Sequence, residues 1–241
     1  MSTAGIILIG DEILSGKVQD QNARFLIDEL RSLGVALRRI ATIPDVLEEI
    51  SSTVADFSPR FDHVFTSGGV GPTHDDLTME GVARAFGSRV IRHPELEGLL
   101  RGYYGERLRE RDLRMADVPD GAHFVVGDGG MGWPVIAMNN VHILPGVPEL
   151  FRRKFLSIRE RFREAPWVLR SVFTTSEEGL IAEELDRIVA TYAAVAVGSY
   201  PSFSAPDYKV KVTLESKDGA AVAAACDDLV LTLGPAVVRI E

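Results

Sequence analysis

Residues 66–78 read TSGGVGPTHDDLT and follow a short apolar segment, for which a buried strand is predicted at 62–66. With a helix predicted at 79–86, this glycine-rich turn completes a strand-loop-helix unit of the kind that builds parallel sheets. Gly68 and Gly69 let the backbone come close to a ligand, and successive N–H groups in such a turn can bind an anion. A P-loop is excluded, because no Gly-Lys-Ser/Thr follows at the required spacing.

Short apolar segments alternate with helical patterns through the first two-thirds of the chain. The further predicted elements are strands at 4–10, 35–43 and 88–91, helices at 23–33, 46–57, 94–112 and 148–162, and a hairpin of 135–138 with 141–144. This alternation predicts an α/β fold with a mostly parallel sheet flanked by helices. Ligands bind beyond the carboxyl ends of the strands in such sheets, so the loops after Gly10, Ile43 and Thr66 are the candidate site.

The last 75 or so residues have a different order of elements. Beyond Ala165-Pro166 the pattern predicts strand 168–175, helix 177–189, strands 194–198 and 208–215, helix 220–231 and strand 236–240. This βαββαβ order is typical of small ferredoxin-like domains. We therefore predict two domains, residues 1–165 and 166–241.

Composition and charge remove several classes of protein. The chain has 241 residues, 26 basic and 35 acidic, with a net charge of −9, which disfavours a nucleic-acid partner. No apolar run approaches the roughly 18 residues of a membrane span, and the N-terminus lacks the pattern of a signal peptide. Cys226 is the single cysteine, so an internal disulfide framework is excluded. These features predict a soluble cytoplasmic protein with no membrane partner.

Acidic side chains follow three of the predicted strands. Asp11 and Glu12 come after the first strand, Asp45 after the second, and Asp75 and Asp76 lie within residues 66–78. Carboxylates beside phosphates repel them unless a divalent cation lies between, as at Mg²⁺ sites built from one or two carboxylates and substrate phosphates. The spacing therefore favours a divalent-cation site next to a phosphate. Mg²⁺, Mn²⁺ and Co²⁺ are the candidate cations.

Purely structural alternatives exist for these acids. Asp45 with Glu48 has the spacing of a capping box, and Asp76 could cap the helix that follows it. Asp11 and Glu12 could lie in a solvated loop ahead of a Ser15-Gly16 turn. In the same way, Asn22 is expected to cap the helix at 23–33.

Three further segments bear on the site. His74 alone among the five histidines lies in it, where it could assist proton transfer, and no histidine has zinc-site spacing. Gly146, in the turn LPGVP at 144–148, could add a second backbone anion site. Residues 127–132 match the G-x-G-x-x-G pattern, but a strand follows instead of a helix, so we interpret them as a surface loop or lid.

Three motifs in order resemble the molybdopterin-binding-domain superfamily, with its MoaB-, MogA- and MoeA-like members. They are GDEILSG at 10–16 with Asn22, residues 66–78, and LPGVP at 144–148. The greatest similarity is to the CinA N-terminal region and to the pterin-binding-like domain of eukaryotic FAD synthases. GSYP at 198–201 is similar to the small module that follows in CinA-like proteins. GMGWPV at 130–135 replaces the usual CinA stretch and is nearer to the FAD synthase branch.

The resemblance implies a MogA-like fold, a site and an oligomeric state. The acids that match the magnesium-linked set of MoeA-like relatives are Glu12, Asp45 and Asp76, to which we add Asp11 as a candidate metal ligand. The residues expected to contact a bound nucleotide are Thr66, Ser67, Gly68, Gly69, Gly71, Ser15, Asn22 and Gly146. A homo-oligomer is expected from the same resemblance.

The expected activity is metal-dependent hydrolysis of the pyrophosphate of a nucleotide diphosphate such as ADP-ribose or FAD. Asp45, Asp76, Asp75 and His74 are the candidate catalytic residues. Neither deamidation of nicotinamide nucleotide nor FAD synthesis is expected, because the resemblance does not reach the domains responsible. Two alternatives stay open: a protein of molybdenum cofactor biosynthesis that binds pterin or transfers an adenylyl group, and a non-catalytic nucleotide-binding module.

Overall fold

The computed structural model describes residues 1–127 and 132–241, and it divides the chain into two units, Met1–Glu164 and Ala165–Glu241. Most of the segment interpreted as a surface loop or lid, 127–132, lies outside the described residues. The strands of the first unit are β1 Thr3–Ile9, β2 Ala36–Ile43, β3 His63–Ser67, β4 Val90–Arg92, β5 Asp117–Pro119, β6 His123–Val125, β7 Val135–Met138 and β8 Val141–Leu144. Its α-helices are α1 Asp11–Leu14, α2 Asn22–Ser32, α3 Leu47–Phe57, α4 Thr78–Ala85, α5 Pro94–Tyr104 and α6 Pro148–Ile158.

Six of these strands form the central sheet, in the order β2-β1-β3-β8-β7-β6. The pairs β2–β1, β1–β3 and β3–β8 are parallel, while β7 runs antiparallel to both β8 and β6. The predicted α/β fold with a mostly parallel sheet is therefore confirmed. Because β1, β2, β3 and β8 run the same way, the loops at their carboxyl ends meet at one edge of the sheet.

Apolar side chains on the two faces of the sheet explain why helices flank it. On one face, Leu26 and Leu30 of α2 pack with Phe151 and Phe155 of α6. On the other face, α3, α4 and α5 contribute a second buried cluster that includes Ile50. A strand covered on both sides reads as a continuous apolar run, which is why the first strand was recognisable.

The stretch between α4 and β7 departs from the prediction. The helix expected over 94–112 ends at Tyr104, where Gly105 adopts a φ of 54°, and 3₁₀ turns follow at Gly105–Arg107 and Glu110–Ala116. A residue with positive φ cannot continue an α-helix, so the periodic charge pattern beyond it was misleading. The short strands β5 and β6 were not predicted; β5 pairs with β4, and β6 extends the central sheet.

The second unit has the predicted βαββαβ order. Its elements are β9 Val168–Thr174, α7 Glu178–Thr191, β10 Ala196–Pro201, β11 Val210–Ser216, α8 Gly219–Leu233 and β12 Val237–Ile240. The four strands form an antiparallel sheet in the order β10-β11-β9-β12. Val172 and Val212 of this sheet pack with Ile188 of α7 and Leu229 of α8, which gives the unit a core of its own.

Among the described residues, one helical stretch, Gly219–Ala236, is long and apolar enough to cross a membrane, with a mean hydropathy of 1.3. Length and composition are weak criteria, because the core helix of a globular domain also meets them. Val222 and Leu229 of this stretch are buried in the core of the second unit, and Asp228 accepts hydrogen bonds from Arg187. These contacts place one face of the helix in the core of the second unit.

Candidate functional site

A cavity of about 1040 Å³ lies at the carboxyl ends of the parallel strands in the first unit. Backbone of two glycine loops, Gly68–Gly71 and Pro145–Val147, forms part of its wall. Acidic side chains line the same part. Apolar and aromatic side chains make up most of the remainder, including Met79, Leu100, Tyr104, Met115, Trp133 and Leu150. The cavity therefore lies where parallel sheets bind their ligands.

The first glycine loop is shaped by contacts that exclude side chains. Gly68 has a φ of 110°, and a Cβ there would lie 2.1 Å from the carbonyl oxygen of Ile9. Gly69 has a φ of 63°, and a Cβ there would lie 2.4 Å from the hydroxyl of Thr78. That hydroxyl donates to the carbonyl of Gly68 at 2.8 Å. The backbone is thus held against the start of α4, where glycine is required at two successive positions.

The two glycine loops lie against each other. The amide of Gly68 donates to the carbonyl of Leu144, and a Cβ at Gly146 would lie 3.3 Å from the Cα of Gly68. Asn22 joins both loops from α2, since its Nδ2 donates to the Ser67 hydroxyl at 2.9 Å and to the Gly146 carbonyl at 2.7 Å.

The expectation that Asn22 caps α2 is wrong. Asn22 is the first residue of the helix, and the Asp20 carboxylate accepts from the backbone amides of Asn22 and Ala23 instead. Because Asp20 carries this function, the Asn22 side chain is available to join the loops. Sequence reasoning missed Asp20, although an acid two residues before an apolar helical pattern is a usable signal.

The residues predicted to contact a nucleotide lie at three kinds of position. Gly68, Gly69, Gly71 and Gly146 line the cavity. Thr66, Ser67 and Asn22 are buried and are not part of its lining. Ser15 is exposed, and its hydroxyl donates to the Glu12 carbonyl at 3.3 Å. Thr66 Oγ1 and Asn22 Oδ1 are buried without a hydrogen-bond partner, which is unusual for polar atoms inside a protein.

Four of the predicted acids line the cavity: Glu12, Asp45, Asp75 and Asp76. Asp11 is not part of its lining, but its backbone amide donates to Asp45 Oδ2 at 2.9 Å. The capping-box alternative for Asp45 is wrong, because α3 has no side-chain cap. The carboxylate of Asp45 is thus directed across the sheet edge to the loop after β1.

The capping alternative for Asp76 is also wrong. Helix α4 has no side-chain cap, and Asp76 Oδ2 accepts from the backbone amide of Thr73 at 2.8 Å and from the Thr73 hydroxyl. A Cβ at Gly71 would lie 2.7 Å from the same carboxylate oxygen. Asp76 is therefore held inside the glycine-rich loop. His74 is not part of the cavity lining; its side chain is 97% exposed, and its Nδ1 lies 3.8 Å from Asp75 Oδ1.

The surroundings of Asp45 disfavour its charged form in the protein alone. Partial burial raises the pKa of Asp45, and repulsion by Glu12, Asp11 and Asp75 acts in the same direction. The hydrogen bond from the Asp11 amide opposes these effects. Like charges gathered without a counter-charge cost stability, and such perturbed groups concentrate at functional sites.

These acids suit a hard divalent cation that is bound together with phosphate. Among the described residues, no three Asp, Glu, His or Cys side chains form a group that could hold a metal ion. Mg²⁺ does not require such a cage, since it commonly binds through one or two carboxylates plus substrate phosphates. Carboxylates beside a loop that exposes backbone N–H groups provide that combination.

Basic side chains occur in another part of the cavity and were not predicted. Arg153 and Lys154 of α6 both line it. Lys154 is half-buried, its Nζ donates to the Pro134 carbonyl at 3.2 Å, and burial together with Arg153 lowers the pKa of Lys154 to about 8. The run RRK at 152–154 was the available signal. It was missed because adjacent cations on a helix usually form a solvated face.

Comparisons with known proteins identify the class of both units. Residues 5–163 match the family model described as a probable molybdopterin binding domain, and residues 166–241 match the middle domain of FAD synthase. The chain belongs to the molybdopterin-binding domain family, and its second unit corresponds to the FAD synthase middle domain. The resemblance to MoaB- and MogA-like domains is therefore confirmed.

The relatives of this chain within the family include a probable FAD synthase and a CinA protein. A probable FAD synthase of Caenorhabditis elegans is 32% identical over 242 residues, which cover 89% of this chain and 47% of that protein. The chain thus spans about half the length of this curated relative. A protein of Archaeoglobus fulgidus is 34% identical over 213 residues, covering 88% of this chain and 90% of its own length. The crystal structure of CinA from Thermoplasma acidophilum, a protein of unknown function, superposes with a TM-score of 0.60 at 30% identity, covering 67% of this chain and 99% of that one.

Proposed function

We propose that this chain hydrolyses the pyrophosphate bond of a nucleotide diphosphate, such as ADP-ribose or FAD, with the help of a divalent cation. The observation that carries the proposal is that four carboxylates and two glycine loops line one cavity at the ligand-binding edge of the sheet. The family match adds support for a nucleotide or pterin ligand. The cavity is at the upper end of the 300–1,000 Å³ typical of ligand pockets, which suits a molecule as large as a dinucleotide.

Different residues of the site would bind the phosphates and the cation. Backbone N–H groups at Gly69 and Gly71 would bind phosphate oxygens, while the Gly68 amide, which donates to the Leu144 carbonyl, holds the loop in place. Gly146 would extend this surface from the second loop. Glu12, Asp45 and Asp76 are the candidate cation ligands, of which one or two would bind the ion together with the substrate phosphates, with Asp11 and Asp75 adding negative charge nearby. A divalent cation bound there supplies neutralisation of the bridging phosphates and a water molecule of lowered pKa.

The buried polar residues beneath the loops would serve to keep that surface in place. Asn22 hydrogen-bonds to Ser67, directly ahead of the first loop, and to Gly146 in the second, so it would fix the distance between the two loops. Ser67 and Thr66 lie at the end of β3, directly ahead of the glycines. His74 keeps its proposed part in proton transfer only if the loop brings its exposed imidazole to the ligand.

A second candidate function, pterin binding or adenylyl transfer, is tested by the same assay. Residues 5–163 match a family described by molybdopterin binding, so the cavity could bind a pterin nucleotide or support adenylyl transfer. A non-catalytic nucleotide-binding module is the third alternative. It is disfavoured because carboxylates around a phosphate site weaken binding unless a cation is present.

The proposal is tested by measuring AMP release from metal-free protein. ADP-ribose, FAD and an adenylylated pterin are each supplied with Mg²⁺, Mn²⁺ or Co²⁺. We expect AMP from at least one of them only when a cation is present. Absence of AMP with every substrate and metal would overturn the hydrolase proposal, and saturable pterin binding without turnover would favour the second function.

The Asp76→Asn variant ties activity to the proposed site. Asparagine preserves the shape of the side chain and can still accept from Thr73, so the loop should keep its conformation. We expect a loss of about a hundredfold or more in the rate of AMP release. Asp28→Asn is the matched control, because Asp28 lies on the exposed face of α2 in an ion pair with Arg24. Wild-type turnover in Asp76→Asn would contradict the assignment of this carboxylate.

A further inference from the structure

The position of Lys154 in the cavity follows from the sheet. Its amine donates to the carbonyl of Pro134, the residue immediately before β7. Because β7 runs antiparallel to β8, the start of β7 lies at the same edge as the carboxyl end of β8, which in turn pairs with the end of β3. The start of β7 therefore belongs to the ligand-binding edge of the sheet.

The strand order also sets the distance between Lys154 and the phosphate-binding loop. Two strand spacings separate β7 from β3, and three separate β7 from β1. Neighbouring strands lie about 4.8 Å apart, so the amine is displaced by about 10 Å from the loop after β3 and by about 14 Å from the loop after β1. Adjacent phosphorus atoms of a diphosphate are much closer together than this. Lys154 thus lies beside a more distant part of any ligand whose phosphates bind the glycine loop.

The ammonium group of Lys154 is only partly satisfied by the protein. Three N–H donors are available, and one of them is used by the Pro134 carbonyl. No carboxylate in the described part of the chain forms an ion pair with it, although it is half-buried. A charged group removed from water without a counter-charge is costly, so its place in a ligand cavity calls for acceptors that the ligand supplies.

The same cavity has an apolar wall that suits a flat ring. Trp133 and Tyr104 are partly buried and line the cavity, together with Met115 and Leu150. Aromatic and thioether side chains pack well against planar rings. Phosphate at the glycine loop, a flat ring against this wall and acceptors at Lys154 describe one continuous ligand.

We infer that Lys154 binds the carbonyl edge of a planar heteroaromatic ring, such as the pyrimidinedione of a flavin or the pyrimidinone of a pterin. The inference rests on the proposed function for the placement of phosphate at the glycine loop. It goes further by selecting a flavin or pterin nucleotide over ADP-ribose, whose terminal ribose is not planar and cannot pack flat against Trp133 and Tyr104. Lys154 is then a specificity-determining residue and takes no part in the breaking of the pyrophosphate bond.

The test measures binding of riboflavin, FMN and ADP-ribose to metal-free protein by titration calorimetry, with flavin fluorescence as a second signal. Lys154→Met keeps the length of the side chain and removes the donors. We expect it to weaken riboflavin and FMN equally, by about tenfold or more, and to change ADP-ribose affinity by less than about twofold. Lys154→Arg should retain most of the flavin affinity.

Arg152→Met is the matched control on the same helix. Arg152 donates to Gln21 and lies over the ring of Phe25, and it is not part of the cavity lining. We expect wild-type affinity for all three ligands. The melting temperature of each variant, measured alongside, separates loss of binding from loss of fold.

Three outcomes would overturn the inference. A loss confined to FMN would make Lys154 a phosphate ligand, and unchanged affinities would remove it from the binding surface. Failure of the wild type to bind riboflavin and, in the same titration, a free pterin would exclude both ring classes. These results are distinct from failure of the proposed function. AMP release from ADP-ribose without binding of riboflavin or pterin would keep the hydrolase and reject the inference, whereas Lys154-dependent flavin or pterin binding without AMP release would do the reverse.

Discussion

The carboxylate of Asp45 lies where partial burial and three neighbouring acids all disfavour its negative charge. Its pKa is raised, so the folded state binds a proton at a pH where the unfolded chain has already released it. Stability associated with this group is therefore lost as the pH rises through the raised pKa of the folded state. The cation proposed for the site needs the opposite form, because only the ionised carboxylate binds a metal.

We predict that Asp45→Asn stabilises the metal-free protein. An amide oxygen can still accept from the Asp11 amide, while the like-charge repulsion is removed. The melting temperature at pH 7 should rise by about 1 to 3 °C, and the gain should shrink as the pH is lowered toward the titration range of carboxylates. The same variant should lose metal-dependent AMP release.

Asp62→Asn provides the opposite control. The Asp62 carboxylate accepts from the amide and hydroxyl of Thr3 at 2.7 Å, which lowers the pKa of Asp62. This variant should lower the melting temperature at pH 7. A fall in both variants would mean that Asp45 stabilises the fold, and the reading of it as a strained functional group would then be wrong.

Gly68 is a second residue whose local geometry predicts the effect of a substitution on stability. We predict that Gly68→Ala lowers the free energy of unfolding by at least about 2 kcal/mol, because a Cβ at a φ of 110° would overlap the Ile9 carbonyl. Gly98→Ala is the control: Gly98 lies within α5 with no atom near its added methyl group, and the change should stabilise by about 0.5–1 kcal/mol. Urea unfolding of both variants measures the difference. Equal effects would show that the tight contact at Gly68 is not maintained in solution.

At the scale of elements, α2 is connected to the site through one side chain. We predict that Asn22→Ala lowers both stability, by about 1–3 kcal/mol, and affinity for ligand, because two hydrogen bonds between α2 and the glycine loops are lost. Asp20→Ala should cost about 1 kcal/mol through loss of the helix cap, without an effect on ligand affinity. Urea unfolding and calorimetric binding on the same samples compare the two. Unchanged affinity in Asn22→Ala would leave this residue a purely structural role.

The loops at the sheet edge show what element-level patterns can and cannot predict. The hairpin of β7 and β8 agrees with the prediction at both ends, because the turn residues Asn139 and Asn140 are specific to such turns, and Asn139 adopts a φ of 52°. The helix caps considered as the structural alternative for Asp45 and Asp76 did not form. Spacing cannot tell whether a carboxylate turns back to its own helix or reaches a neighbouring loop, since both choices satisfy the same local pattern.

At the scale of the whole molecule, each unit has its own buried core. We predict that a fragment of residues 166–241 folds alone, because its core of Val172, Ile188, Val212 and Leu229 is contained within it. Circular dichroism should show helix and strand signals with one cooperative thermal transition. A non-cooperative transition would indicate that the fragment depends on the rest of the chain. The fragment is small, and domains of this size are marginally stable.

The homo-oligomer implied by the family resemblance is a separate prediction for the full chain. Light scattering should give a multiple of the 26.3 kDa chain mass. A mass of one chain over the micromolar range would contradict it. Symmetric assembly is the common form of such oligomers.

The sequence was sufficient for the alternation of elements and for the α/β fold class, and it located the glycine-rich loop and the acids, whose role in a site stays a prediction. These features are predictable because they depend on local signals. Apolar periodicity, turn residues and short motifs each involve only a few neighbouring positions. The direction of each carboxylate, the link from Asn22 to two loops and the position of Lys154 were decided by the tertiary structure. They depend on strand order, which brings residues more than a hundred positions apart to one edge of the sheet, and no local pattern carries that information.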